Sequence, residues 1–499
     1  MINARSLAYQ ILLHLDQKPS QPDRLIRAML DRHSRLEERD RALLTELVYG
    51  SLRWQGRLDW HIDQLSKTSP KKIAPDVRIL LRLALYQVLF LDRIPPHAAV
   101  NETVEIAKAT QPRHLVGFVN AILREALRRQ GRWDWPSATK FQDQYLAVTT
   151  SHPLWFIRRC LQELGFEETL KVCEANNTIA PMVLRVNSAG TSLDEVVRLL
   201  NEKGHKGPKG PKGHEGHEGH EGHEGGEGRE VEEEVTDNAV ASREHEDRAV
   251  HEGLQAHPSP YLSHAVRVAG LRRDISHLPM YEAGWIQVQD EASQLIAHLV
   301  SPKAGERVLD LCAGFGGKST HLAMLMGGEG EVLAVDNSAW KLEALQENAR
   351  RQGVEIVSTL CSDVLELSPD ETGTFDRVLL DAPCSGFGAL RRNPDIKWRR
   401  HPKDPYRFSQ IQIKLLQQAA LFVKQGGVLV YATCTLFREE NEDVAGAFIE
   451  ANPQWELEPV ADFLPESCRT MTEGPFYRTW PHRHGTDGFF GARFRRIKT

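Results

Sequence analysis

Apolar residues recur at three- and four-residue spacing through the first 135 positions, in SLAYQILLHL, RALLTELVYGSLRW, VRILLRLALYQVLFL and LVGFVNAILREAL. That period predicts amphipathic helices. Strand signals are nearly absent, so residues 1–136 are expected to form one all-α domain, with Pro95-Pro96 and Gln111-Pro112 breaking its helices. From 137 to 284 the pattern mixes. SHPLWFIRRCLQELG and TSLDEVVRLLNEKG predict helices, PMVLRVN predicts a short strand, and the folded pattern resumes near Pro260 with YLSHAVRVAG. Between them runs GHKGPKGPKGHEGHEGHEGHEGGEGREVEEE. With almost no apolar side chain it cannot offset its ordering entropy. The expectation is a small α+β module interrupted at about 201–253 by a disordered, solvated insert.

From 285 to 499 the pattern changes again. The apolar runs RVLDLC, EVLAVD, EIVSTLC, FDRVLLDAPC and GGVLVYATC alternate with the helical segments STHLAMLM, SAWKLEALQENARRQG and YRFSQIQIKLLQQAALFV. Short apolar strands separated by helices predict βαβ units and a parallel, doubly wound, Rossmann-like sheet. Ligands of such sheets bind outside the carboxyl ends of the strands. That rule directs attention to Cys312, Asp336, Asp363, Asp381 and Cys434, each at or just past a strand end.

Composition narrows the class. At roughly 100–200 residues per domain, a chain of 499 residues needs several domains. There is no apolar run of about 18 residues and no cleavage site after MINARSLAYQILLHLDQ, so neither a membrane span nor a signal peptide is expected. Seven scattered cysteines without a C-x-x-C pair argue against disulfides or a zinc ribbon. A reducing, cytoplasmic compartment follows. The histidines of the insert invite a metal reading, but a solvated linker fits its composition better, and no metal site is expected. The formal net charge of −6 hides an asymmetry. Residues 1–136 carry 22 Lys and Arg against 15 Asp and Glu, and residues 201–253 carry 7 against 15. The basic first segment, with REALRRQGRW at its end and Trp133, Trp135 and Trp155 nearby, suggests contact with phosphates and stacking on bases. A solvated helix face and core packing are the plainer alternatives.

The loop Cys312-Ala313-Gly314-Phe315-Gly316-Gly317-Lys318-Ser319 is ambiguous alone. A P-loop would need glycine where Cys312 stands, and a dinucleotide fingerprint would need glycine where Ser319 stands. Its glycines still allow a ligand close to the backbone at a helix N-terminus. Asp336 ends the second strand, where a carboxylate can accept both hydroxyls of a ribose. Asp363 ends the third strand region, placed for an adenine amino group. Helix N-capping is the alternative for each. A ribose site without a diphosphate grip points to S-adenosylmethionine rather than NAD or ATP.

Two cysteines carry the strongest signal. Asp381-Ala382-Pro383-Cys384-Ser385-Gly386 and Tyr431-Ala432-Thr433-Cys434 each follow a core strand, so both thiols are expected to face one pocket. CAGFGGK, VLAVD, DAPCSG and YATC, in this order, resemble the RNA cytosine-C5 methyltransferase family. The resemblance runs from Gln287 to the C-terminus, including Glu440-Asn441-Glu442 and Asp487-Gly488-Phe489-Phe490. The helical domain is similar to the NusB-type RNA-binding fold, a combination that resembles the family's bacterial 16S rRNA methyltransferase B branch.

The resemblance implies that Cys312, Ala313, Gly314, Phe315, Gly316, Gly317, Lys318, Asp336, Asp363 and Asp381 hold the cofactor. It also implies that Cys434 is the nucleophile and Cys384 assists product release. Three departures stand out: Gly314-Phe315 where the family has Ala-Pro, Phe387 after Gly386, and Phe437-Arg438 in place of a proline turn.

Cytosine C5 is a poor nucleophile. A thiolate adding to C6 makes C5 nucleophilic enough to take a methyl group, a covalent route through easier steps. The thiol must lose its proton, and Lys318 supplies favourable charge. Asp381 is the candidate for N3 of the base. The base must be unpaired or extruded first. Small-subunit rRNA is the expected partner, with no DNA, no membrane, and a monomer as the acting form. The alternative is a noncatalytic RNA-binding assembly factor with a degenerate methyltransferase domain. Amino-methylating enzymes need a D/N-P-P-Y/F loop where this chain has Asp381-Ala382-Pro383-Cys384.

Overall fold

The computed structural model describes residues 3–18, 20–129, 131–202, 255–270 and 275–497. The insert expected at about 201–253 lies outside the described residues from 203 onward.

The N-terminal part is all helix: α1 (Ala4–Gln17), α2 (Pro22–Arg32), α3 (Glu38–Arg53), α4 (Gln55–Leu65), α5 (Pro75–Phe90), α6 (Pro96–Thr110) and α7 (Arg113–Arg129). Proline opens α2, α5 and α6, where its missing N–H costs nothing. The sequence PDVRILLRLALYQVLF is apolar nearly all round, and α5 is accordingly central, packed against α1, α3, α4, α6 and α7. Leu80, Leu81, Leu83 and Leu85 are fully buried there. Truncating any one to alanine would cost about 2–5 kcal/mol.

Helices α8 (Gln142–Thr149) and α9 (Leu154–Asn177) lead into the small module, α9 bending at Gly165. The module is an antiparallel sheet ordered β2 (Gln255–Pro258), β3 (Ala265–Ala269), β1 (Met182–Val186), β4 (Ile286–Val288), with α10 (Leu193–Glu202) beside it.

The large sheet places five parallel strands side by side: β7 (Val357–Cys361), β6 (Glu331–Asp336), β5 (Arg307–Leu311), β8 (Phe375–Asp381) and β9 (Val423–Thr433). Both faces are buried. Leu379 joins one core with Leu295 and Leu322, while Val378 and Leu380 join the other with Leu416 and Phe448. Hence the strands read as continuous apolar runs. The sheet is not purely parallel, which corrects the expectation. Strand β13 (Phe490–Arg496) adds antiparallel beside β9, and β10 (Trp455–Glu458), β11 (Thr472–Glu473) and β12 (Phe476–Arg478) follow on that edge. Helices α11 (Glu291–Val300), α12 (Gly317–Leu325), α13 (Ala339–Arg351), α14 (Asp404–Leu421) and α15 (Glu442–Ala451) complete the part that concerns the site.

The three tryptophans proposed to stack on bases are packed instead. Trp133 lies against the helical core, Trp135 stacks on Trp60 with centroids 4.6 Å apart, and Trp155 meets Phe387 edge-on at 5.2 Å. In the Arg-rich tail, Arg128 pairs with Glu125 and Arg129 covers Trp133. No helix among the described residues is long and apolar enough to cross a membrane.

The helical domain is clasped to the C-terminal half. Lys397 is buried and its Nζ donates to Arg53 O, Ser151 O and Asn177 Oδ1. Trp398 Nε1 donates to Leu52 O at 2.6 Å, and Arg53 Nη2 returns a bond to Arg391 O.

Candidate active site

Parallel strands β8 and β9 pair Leu380 with Tyr431 and Asp381 with Ala432, so the chain leaves both at the same level. Cys384 and Cys434 sit just past those ends, their Sγ atoms 3.4 Å apart. The two loops are cross-tied by one buried carboxylate. Glu440 accepts from Ser385 N and Gln412 Nε2 on one oxygen and from Thr435 Oγ1 on the other. Ser385 Oγ and Thr435 Oγ1 meet directly at 2.7 Å, and Asn441 takes the Thr433 hydroxyl and donates to Thr435 O. Burial pushes the Glu440 carboxyl up, against the hydrogen bonds it accepts.

The thiols differ. Cys434 lines a crevice of about 430 Å³, whereas Cys384 lies behind it. The hydrogen bond with Cys434, together with burial, pushes the Cys384 thiol well above its ordinary range. Cys384 is therefore a protonated thiol at neutral pH.

Lys318 Nζ donates to Asp381 Oδ2 at 2.6 Å. Burial disfavours the ammonium, but Asp381, with Asp310 and Cys434 in range, raises its pKa overall. Lys318 is thus a fixed cation within reach of Cys434. The loop before it takes left-handed backbone at Cys312, Gly314 and Gly316. At Gly316 a Cβ would stand 2.2 Å from Leu345 Cγ, so α13 closes directly on this turn. Asp336 is buried and holds the loop, accepting from Gly314 N at 3.0 Å and Ser338 N at 3.0 Å. Burial pushes the Cys312 thiol up to about 12, which suits a wall residue. Phe315 is half-exposed and meets Trp340 edge-on at 5.2 Å.

Cys312, Ala313, Gly314, Phe315, Gly317, Lys318, Asp381 and Cys434 all line the crevice. Gly316 and Asp336 brace it from behind. Asp363 stands apart, exposed, with its carboxylate accepting from Leu365 N, a local turn bond of the capping kind.

Other residues arrive that sequence reasoning did not assign. Asp310, inside β5, is fully buried and lines the crevice; Ser319 Oγ donates to one oxygen and the other has no partner among the described residues. Burial pushes its carboxyl up to about 7. Arg392 bridges Asp290 and Asp487, each at 2.8 Å, and closes the far wall with Asn393 and Phe489. The signal was present in the Arg391-Arg392-Asn393-Pro394 turn just after the Cys384 loop. Arg185 of β1 spans from the small module to α12, its guanidinium donating to Gln289, Gly317 O, Thr320 and Gln352.

Residues 297–495 match the model of the 16S rRNA methyltransferase RsmB/F family, residues 2–128 that of the NusB family, and residues 152–216 that of the RsmF/B-like ferredoxin-like domain. A probable ribosomal RNA small subunit methyltransferase B of Bacillus subtilis is 33% identical over 99% of both chains. The chain belongs to the 16S rRNA methyltransferase RsmB/F family. A ribosomal RNA small subunit methyltransferase B of Klebsiella pneumoniae is likewise 33% identical, over 99% of this chain and 98% of its own. Among solved structures, PH0851 superposes with a TM-score of 0.75 at 26% identity, covering 100% of this chain and 99% of its own. A methyltransferase homologue from Pyrococcus horikoshii gives a TM-score of 0.53 at 26% identity, covering 72% of this chain and 100% of its own. The family's three-part architecture is therefore the one seen here.

Proposed function

We propose that this chain is a cytoplasmic, monomeric enzyme that methylates C5 of a cytosine in small-subunit rRNA, with S-adenosylmethionine as methyl donor and Cys434 as nucleophile. The observation that carries the reading is the 3.4 Å approach of two thiols at adjacent parallel strand ends, beside the Lys318–Asp381 ion pair.

The crevice suits a cationic nucleoside donor. The left-handed loop brings backbone close, Asp336 stands at the end of β6, and Asp381 supplies negative charge against a sulfonium, with Asp310 lining the same crevice. When bound, the donor supplies an electrophilic methyl group. Asp363, at the end of β7, is the most peripheral of the contacts proposed.

Lys318 places a fixed positive charge within reach of the attacking sulfur of Cys434. The sulfur adds to C6 of the base, and the electron pair of the C5–C6 bond moves toward C5 and N3. Asp381, in the same crevice, orients N3. After C5 gains its methyl group, the C5 proton must leave, the electron pair re-forms C5=C6, and the S–C6 bond breaks. Cys384 is the neighbouring group of this chain that assists that release. The helical domain and small module, by this reading, grip the RNA around an unpaired target.

Single-turnover assays with labelled donor and small-subunit rRNA test the assignment. Cys434→Ala should bind RNA and transfer no methyl, a loss of at least about 10³-fold. Cys384→Ala should accumulate a protein–RNA adduct that survives denaturing gels. Full activity of Cys434→Ala would overturn the nucleophile, and no adduct with Cys384→Ala would overturn the release role alone. Absence of donor binding at millimolar concentration would instead mark a noncatalytic assembly factor.

A further inference from the structure

Three histidines that the catalytic reading does not use converge behind the cofactor loop. His264 precedes β3 in the small module, His298 lies on α11 and His321 on α12. One ring nitrogen from each lies within 4.8 Å of the other two. The rings approach with centroids 5.2 to 5.6 Å apart. His264 Nε2, His298 Nε2 and His321 Nδ1 are all buried, and none has a hydrogen-bond partner among the described residues. His321 is only 1% exposed.

Buried polar nitrogens are ordinarily satisfied, and three unsatisfied imidazoles facing one point is a metal-ligand constellation. From these positions we infer that His264, His298 and His321 form a structural site for a single zinc-class transition-metal ion, stapling the small module to α11 and to α12, the helix that follows the cofactor loop.

The chemistry is consistent. Imidazole is a ligand only when neutral, and burial holds His264 and His298 down at about 4 and His321 well below its ordinary value. Nitrogens around a tetrahedral zinc stand about 3.3 Å apart, given bonds of 2.0–2.1 Å. Closing from 4.8 Å asks each ring to move by less than about 1 Å. Arg185 is the charged group facing the cluster, depressing the pKa of both His264 and His321. A bare dication beside a guanidinium would be repelled. The site would therefore need an anion from solvent as its fourth ligand, and Arg185 Nε, buried and without a partner among the described residues, belongs to the same guanidinium. The position explains the purpose. Arg185 already links β1 to the start of α12, and a metal bond between His264 and His321 would lock the same two pieces three residues beyond Lys318.

The test uses the full chain loaded with Zn²⁺ or Co²⁺ and dialysed, compared with His298→Gln and His321→Gln. Histidines of the 201–253 insert are common to all three proteins and cancel in the comparison. Elemental analysis should give one more ion per chain in the parent than in either variant. The Co²⁺ form of the parent alone should show the strong visible absorption of four-coordinate nitrogen ligation. Chelation should lower the melting temperature of the parent and leave the variants unchanged. Should a variant fail to fold, His264→Gln, on a partly exposed member outside the two helices, serves in its place. Equal metal content in parent and variants, with no four-coordinate cobalt spectrum, would overturn the site and leave ordered water as the partner of the three rings.

Discussion

Asp310 stands in the middle of an apolar strand, fully buried, with one oxygen unpartnered. Its carboxyl is raised from the ordinary 3.8 to about 7 by burial. The folded chain therefore holds this proton more tightly than the unfolded chain. The stability this group contributes is complete below about pH 4 and is lost as pH rises toward 7. Over that window the parent should lose up to roughly 4 kcal/mol relative to Asp310→Asn. Urea unfolding at several pH values measures it, and parallel pH curves would refute it. Residues of this kind divide by how they announce themselves. Cys312, Asp381 and Cys434 stand at or just past strand ends, and the rule that ligands gather there found them. Asp310 is enclosed by RVLDLC, where one polar residue within a run carries no positional signal. Asp363 has the expected position along the chain, yet its carboxylate turns to its own backbone, because a short turn after β7 offers it Leu365 N.

Around the two thiols, backbone contacts add to the side-chain ties of Glu440, Ser385, Thr435 and Asn441. Gly388 N donates to Cys434 O, and Gly488 N donates to Gly388 O, so three loops share one narrow crossing. A Cβ on Gly388 would stand 1.9 Å from Gly488 O and 2.9 Å from Cys434 O. Neither obstacle is a flexible side chain. Gly388→Ala should cost about 3 kcal/mol or more and lower methyl transfer in step; a melting temperature equal to the parent's would show that the crossing yields. The family departures at Phe387 and Phe437 belong to this neighbourhood. Their rings lie 5.0 Å apart in one cluster with Trp155 and Phe156. Phe437 stands where the resemblance implies a proline turn, and both rings pack into the same aromatic cluster. Sequence periodicity found α1, α3, α5, α7, the helices α12 to α14 and the five parallel strands, because each buries a face of fixed period, but it passed over α2, α4, α6, α11 and α15. It missed β10 to β13. GFFGARFRR mixes fully buried Phe with Arg, and its Arg493 is itself buried through an ion pair with Glu458 that no local pattern encodes.

At the scale of the whole molecule, ion pairs such as Arg267–Glu291 and Arg159–Glu439 join the middle region to the C-terminal half, whereas the junction with the helical domain is centred on a lysine without a carboxylate partner among the described residues. Lys397 is buried between the helical domain and the catalytic half, held by three oxygens and no carboxylate, and burial pushes its pKa well down. Lys397→Met keeps the stem and removes all three bonds. Only the bond to Arg53 O reaches the helical domain, so its docking should weaken by about 1–2 kcal/mol, and that domain should unfold at a lower urea concentration than the rest. A single transition at the parent's midpoint would refute that. The three-part division was legible from composition and period, since each part buries its own core. The clasp was not, because its partners lie more than 200 residues apart. The same is true of the three histidines behind the cofactor loop, which come from three elements with no shared spacing.

The clasp has a further effect on what the protein can reach. The stretch gripped by the first domain, Arg391 to Trp398, is the direct continuation of the loop that bears Cys384. A stem of RNA held by that domain would be presented to the sulfur pair at one set span and one set angle. Target choice then becomes a matter of measured length, with the protein serving as its own caliper.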